Sequence, residues 1–116
     1  MEKATRLNVP FSVADAEAPS FSFDEKLDVR WTDWREQPVH VEFIHPVGVT
    51  WQEATITGAH DRDDDVFEIQ DSEWLRAHSC EGVRERREPL RHFRLCFNAH
   101  GTLDVLASAM RQIRAQ

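Results

Sequence analysis

Residues 90–113 read LRHFRLCFNAHGTLDVLASAMRQI, and how this stretch is divided decides the fold. Phe93, Leu95 and Phe97 alternate with His92, Arg94 and Cys96, the period of a half-buried strand whose successive side chains point to opposite faces. Asn98-Ala99-His100-Gly101 follows as a turn, because Asn and Gly tolerate positive φ. Thr102 to Ala107 then returns as the partner strand, with Leu103, Val105 and Ala107 inward. The same residues carry a second period: Leu103, Leu106, Met110 and Ile113 fit one face of a helix. Joining the two periods gives a strand to about Ala107 and a helical tail from Ser108.

Working outward, Leu27, Val29 and Trp31 alternate with Asp28 and Arg30, and Val39, Val41 and Phe43 alternate with His40 and Glu42. These read as two strands joined by the loop TDWREQP, with Pro38 opening the second because it cannot donate to a ladder. His45-Pro46-Val47-Gly48 is a turn into a β-rich run in which Val49, Trp51, Glu53, Thr55 and Thr57 share a face. Val66 to Gln70 is a short strand expected to pair antiparallel with that run. Asp71-Ser72-Glu73 before Trp74 starts a short helix, since Asp or Ser accepts the open backbone N–H groups of a first turn, and Gly82 closes it. An early strand is expected at Leu7 to Val13, and ADAEAPS, residues 14–20, reads as a loop. The sum is an α+β fold: a curved antiparallel sheet of five to seven strands with one or two short helices, including a C-terminal helix.

The chain has 116 residues, the size of a single domain, 1–116, and a 41% hydrophobic fraction sufficient for one core. A formal charge of −7 would repel phosphate backbones and anionic lipid, which disfavours direct binding to nucleic acid or membrane. No run approaches 18 apolar residues, and MEKATRLNVPFSV is too polar for a signal peptide, so a cytoplasmic protein is expected, with Cys80 and Cys96 reduced.

The charge is unevenly placed. Between Asp61 and Glu73, seven carboxylates face Arg62 alone: Asp61, Asp63, Asp64, Asp65, Glu68, Asp71 and Glu73. An arginine-rich block follows at Arg84, Arg86 and Arg87, with Arg91 and Arg94 beyond it. A focused anionic field suits capture of a basic macromolecule, and Trp74, directly after it, is of the residue type that dominates interface energetics. The candidate partner-binding set is therefore Asp61, Asp63, Asp64, Asp65, Glu68, Asp71, Glu73 and Trp74. Trp31 and Trp51 read as core, and Trp34 lies in the hairpin loop.

Catalytic and metal motifs are weak. The six histidines form no HExxH or HxH pattern, and His40 and His45 fall on opposite strand faces. Asp61, Asp63 and Asp65 have the alternation that opens a calcium loop, but Val66 stands where its glycine is required and Ser72 where its closing glutamate belongs. No nucleophile elbow or phosphate-cradling glycine loop occurs. No catalytic residue, metal site or cofactor is expected.

VFEIQDSEWL, residues 66–75, and HFRLCFNAHGTLDVLA, residues 92–107, together with small size, acidity and hairpin order, resemble the small bacterial immunity proteins of contact-dependent growth inhibition and related polymorphic toxin systems. The resemblance covers the C-terminal half and is one of style, so it transfers no binding residue by position. It implies an antitoxin-like toxin inhibitor, working by protein–protein interaction with a cognate toxin domain, often a nuclease. The competing expectation is a small-molecule binding domain or small enzyme that uses the concave face of the sheet with His92, Arg94 and Trp51.

Overall fold

The computed structural model describes residues 2–13, 16–24, 26–53, 65–79, 89–97 and 101–113. Two antiparallel sheets face each other across a common core. One holds β1 (Lys3–Arg6), β6 (Val66–Gln70), β7 (Arg91–Phe97), β8 (Gly101–Ala107) and β5 (Gly48–Glu53), side by side in that order. The other holds β2 (Glu17–Phe23), β3 (Leu27–Thr32), β4 (Pro38–Ile44) and β9 (Ala109–Ile113). The helix α1 (Glu73–Ser79) follows β6. Among the described residues it is the sole helix.

The alternations read from the sequence become the inner faces. Leu27, Val29 and Trp31 of β3 and Val39, Val41 and Phe43 of β4 are buried against Phe93, Leu95 and Phe97 of β7 and Leu103 and Val105 of β8. Aromatic edges tie the sheets together: Phe97 lies 5.0 Å from Trp31, Phe43 lies 5.7 Å from Phe93, and Trp51 lies 5.0 Å from Phe21. Such tilted and edge-on contacts are favoured by the ring quadrupole.

One bent ribbon, β4–β5 paired with β9–β8, runs through both sheets. Ile44 pairs with Ala109 and Gly48 with Leu106, so residues 45–47 stand opposite 107–108, an excess of one residue on the β4–β5 side. His45 absorbs it in a left-handed conformation (φ 52°), while Val47 N–H bonds Leu106 O and Ser108 N–H bonds Ile44 O. An extra residue of this kind turns a strand pair from one sheet into the next.

Four expectations are corrected. The fold is mostly β, not α+β, and the C-terminal helix is absent: residues 109–113 are strand β9, paired with β4 from His40 to Ile44. Among the described residues the nine strands exceed the five to seven expected, because β9 replaces the helical tail and β2 occupies the second half of the supposed loop. Its Pro19 and a register shift between Glu17 and Ser20 are tolerated at a sheet edge, where one row of backbone groups has no ladder partner. The first strand is Lys3–Arg6, not Leu7 to Val13; Leu7, Val9 and Phe11 instead pack on the core beyond its end, Leu7 N–H still bonding Val66 O at 2.8 Å. Finally, β6 does not pair with β5. It pairs with β1 and β7, and β5 pairs with β8. The expected strand positions Thr55 and Thr57 and the helix stop at Gly82 lie outside the described residues. Among the described residues, no helix is long and apolar enough to cross a membrane.

Candidate functional site

The acidic stretch enters the structure at Asp65, runs through β6 and ends in the first turn of α1; Asp61, Asp63 and Asp64 lie outside the described residues. Its members have different environments. Asp65, immediately before β6, forms an ion pair with Arg6, whose cross-strand partner in the β1–β6 pair is Phe67. Glu68 accepts two hydrogen bonds from Arg91, at 3.0 and 2.6 Å, and Arg91 in turn lies over the Phe93 ring. These bonds hold the Glu68 carboxyl below its usual range against the opposing effect of burial, and they raise Arg91. Asp71 and Glu73 are exposed and make no ion pair with a described residue. Asp71 sits in a left-handed turn (φ 56°), and the Glu73 N–H donates to the Glu2 carboxylate at 2.9 Å. Three carboxylates, Glu2, Asp71 and Glu73, thus gather where β6 passes into α1.

Trp74 is placed differently from an exposed anchor. Its ring meets His92 edge-on at 5.3 Å and lies so close to Gly48 that a Cβ there would stand 2.8 Å from its Cζ2. The residue is half-buried and clamps α1 to the outer face of the five-stranded sheet.

Beneath that helix lies a polar cluster that sequence reasoning does not assemble: it groups His92 and Arg94 with Trp51, reads Ser72 as a helix start, and passes over Asp104. Ser72 caps α1: its Oγ accepts the Leu75 N–H at 3.1 Å and its carbonyl accepts the Arg76 N–H at 3.0 Å. Ser72 Oγ also stands 2.7 Å from His92 Nδ1, His92 Nε2 stands 2.6 Å from Asp104 Oδ1, and Arg94 Nε donates to the same oxygen at 2.8 Å. Ser72, His92 and Asp104 are 3, 4 and 8% exposed. Burial pushes the Asp104 carboxyl up, but the hydrogen bonds from His92 and Arg94 together with the Arg94 charge prevail and hold it below the usual aspartate range. The period-two reading put His92 and Arg94 on the polar face of β7, which is correct; the missing signal was that α1, capped at Ser72, lies over it.

The proposed concave-face set does not assemble. Trp51 points into the core, 5.0 Å from Phe21, whereas His92 and Arg94 face the other side of the same sheet. A separate cleft of about 400 Å³ opens between Leu7, Val9, Phe11 and Val66, with Arg6 and Asp65 at its rim. Among the described residues no group of His, Cys, Asp and Glu is arranged to hold a metal ion.

On the four-stranded sheet, Glu42 stands opposite Asp28, a like-charge pair across β3 and β4. Each has its own partner. Arg111 donates twice to Glu42, Lys26 lies 3.6 Å away, and His40 Nε2 is 2.6 Å from Asp28. Trp34 is 59% exposed at the tip of the β3–β4 hairpin, where buried Asp33 accepts the N–H groups of Arg35 and Gln37, both at 2.9 Å.

No family model matches the sequence, and no match is found among curated proteins or solved structures.

Proposed function

We propose that this chain is an immunity, antitoxin-like protein that binds and neutralises a cognate toxin, a basic nuclease domain, through the acidic surface at the β6–α1 junction. The observation that carries the reading is the exposed group of Glu2, Asp71 and Glu73, of which Asp71 and Glu73 make no ion pair with a described residue. Asp65 and Glu68 contribute less, because Arg6 and Arg91 already neutralise them. In the sequence Asp61, Asp63 and Asp64 add to the same charge. A nuclease presents cationic side chains to phosphates, and carboxylates lodged among them exclude substrate by occupancy, with no bond made or broken. Unpaired surface charge also accelerates the encounter, while apolar contacts set the lifetime of the complex.

The test is protection. Cells producing the toxin domain encoded beside this chain's gene are grown with and without the chain, and nuclease activity is assayed with the purified pair. Survival and loss of nuclease activity at a one-to-one ratio are expected. Undiminished activity at excess chain would contradict the proposal.

A further inference from the structure

Ser72, His92 and Asp104 have the composition of a hydrolytic triad, yet their geometry differs from one. In a triad the serine bonds the imidazole Nε2 and the aspartate bonds Nδ1; here Ser72 is at Nδ1 and Asp104 at Nε2. A nucleophilic Oγ must also face substrate, whereas this one is buried and accepts the Leu75 N–H as a helix cap. One arrangement of hydrogens gives every donor an acceptor: Leu75 N–H to Ser72 Oγ, Ser72 O–H to His92 Nδ1, His92 Nε2–H to Asp104, and Arg94 Nε–H to Asp104. Placing the ring proton on Nδ1 would set Nε2 and the Asp104 carboxylate against each other as two acceptors 2.6 Å apart. Trp74 closes the helix side of the imidazole edge-on.

We infer that Ser72, His92 and Asp104 form a positioning relay that fixes the first turn of α1 on the five-stranded sheet, with His92 as its Nε2–H tautomer. Asp104, held by Arg94, orients the ring; the ring orients the Ser72 hydroxyl; the hydroxyl oxygen caps the helix. Asp71 and Glu73 flank Ser72 in sequence, so their placement follows from the same relay. This last step rests on the partner surface proposed above; the tautomer and the capping do not.

The test begins with nitrogen-resolved NMR of the wild-type imidazole, which requires no variant to fold. A protonated Nε2 and a bare Nδ1 are expected, and the reverse would overturn the relay. In Ser72→Ala the Leu75 amide should exchange about fivefold faster or more, the usual worth of a lost cap, with the centres of β7 and β8 unchanged. Ser72→Thr, which keeps the hydroxyl, should restore slow exchange. Unchanged Leu75 exchange in Ser72→Ala, or covalent labelling of wild-type Ser72 by a fluorophosphonate, would overturn the assignment. Binding of the toxin domain should weaken in Ser72→Ala and recover in Ser72→Thr. Faster Leu75 exchange with unaltered binding would overturn the link to Asp71 and Glu73 alone.

Discussion

Gly48 shows how one residue fixes where a helix sits. A methyl group there would meet the Trp74 ring at 2.8 Å, and that ring is already held between α1 and His92. Gly48→Ala should therefore lower stability by about 1–3 kcal/mol, as overpacking does, measured by chemical denaturation; Trp74→Leu in the same chain should recover part of the loss. Glu68 and Asp104 carry an acid-sensitive share of stability. Both carboxyls are depressed in the folded chain from ordinary values of 4.5 and 3.8. As pH falls the unfolded chain takes up these protons first, so their contribution is complete above those values and disappears as pH passes through the lower, folded ones. Denaturation midpoints between pH 7 and pH 3 should fall less steeply in Glu68→Gln than in the wild type. Trp34, exposed on a loop held by Asp33, should tolerate replacement by Ala with a change within about 0.5 kcal/mol. At this scale alternation placed Phe93, Leu95 and Phe97 inward, but it gave His92 and Asp104 no special status. A polar side chain on a strand's outer face reads the same whether water or a helix lies over it.

Among the elements, β9 explains why the C-terminal tail was misread. Its predecessor β8 is buried on both faces: Leu103, Val105 and Ala107 meet the core, and Leu106 is buried on the outer face beside Gly48. A strand buried on both sides loses strict alternation, and its apolar positions then match helical spacing as well. The bend at Ser108 shifts the phase again as the chain changes sheets, leaving Met110 opposite Phe43 and Ile113 opposite His40. At β2, Pro19 signalled a loop because nothing local in the sequence tells an edge strand from a turn. The strands Leu27–Thr32, Pro38–Ile44 and Arg91–Phe97 were legible because each has one clear inner face. The docking of β9 is testable through Glu42, which is 8% exposed and receives two hydrogen bonds from Arg111. Arg111→Ala leaves that carboxylate with Lys26 and should cost about 1–2 kcal/mol, less than a fully buried pair because Arg111 is itself largely exposed. Glu42→Gln with Arg111→Ala should lose less than the two single changes summed.

For the whole molecule, the charge imbalance of the sequence is only partly the charge presented to a partner. Arg6, Arg91 and Arg94 lie in or beside the same sheet as the carboxylates and pair with Asp65, Glu68 and Asp104. Residue counts alone did not foretell this, since the pairs join positions 10 to 59 residues apart. Asp71 and Glu73, the exposed part of the acidic stretch at the β6–α1 junction, form the surface proposed to meet a cationic protein. The most direct test is the affinity of the neighbouring-gene toxin domain, measured by titration calorimetry at about 50 and 300 mM salt, for the wild type and for Asp71→Lys with Glu73→Lys. Wild-type affinity should fall with salt, and the double variant should bind more weakly and lose much of that dependence. Equal affinity and equal salt dependence in the two proteins would contradict the account.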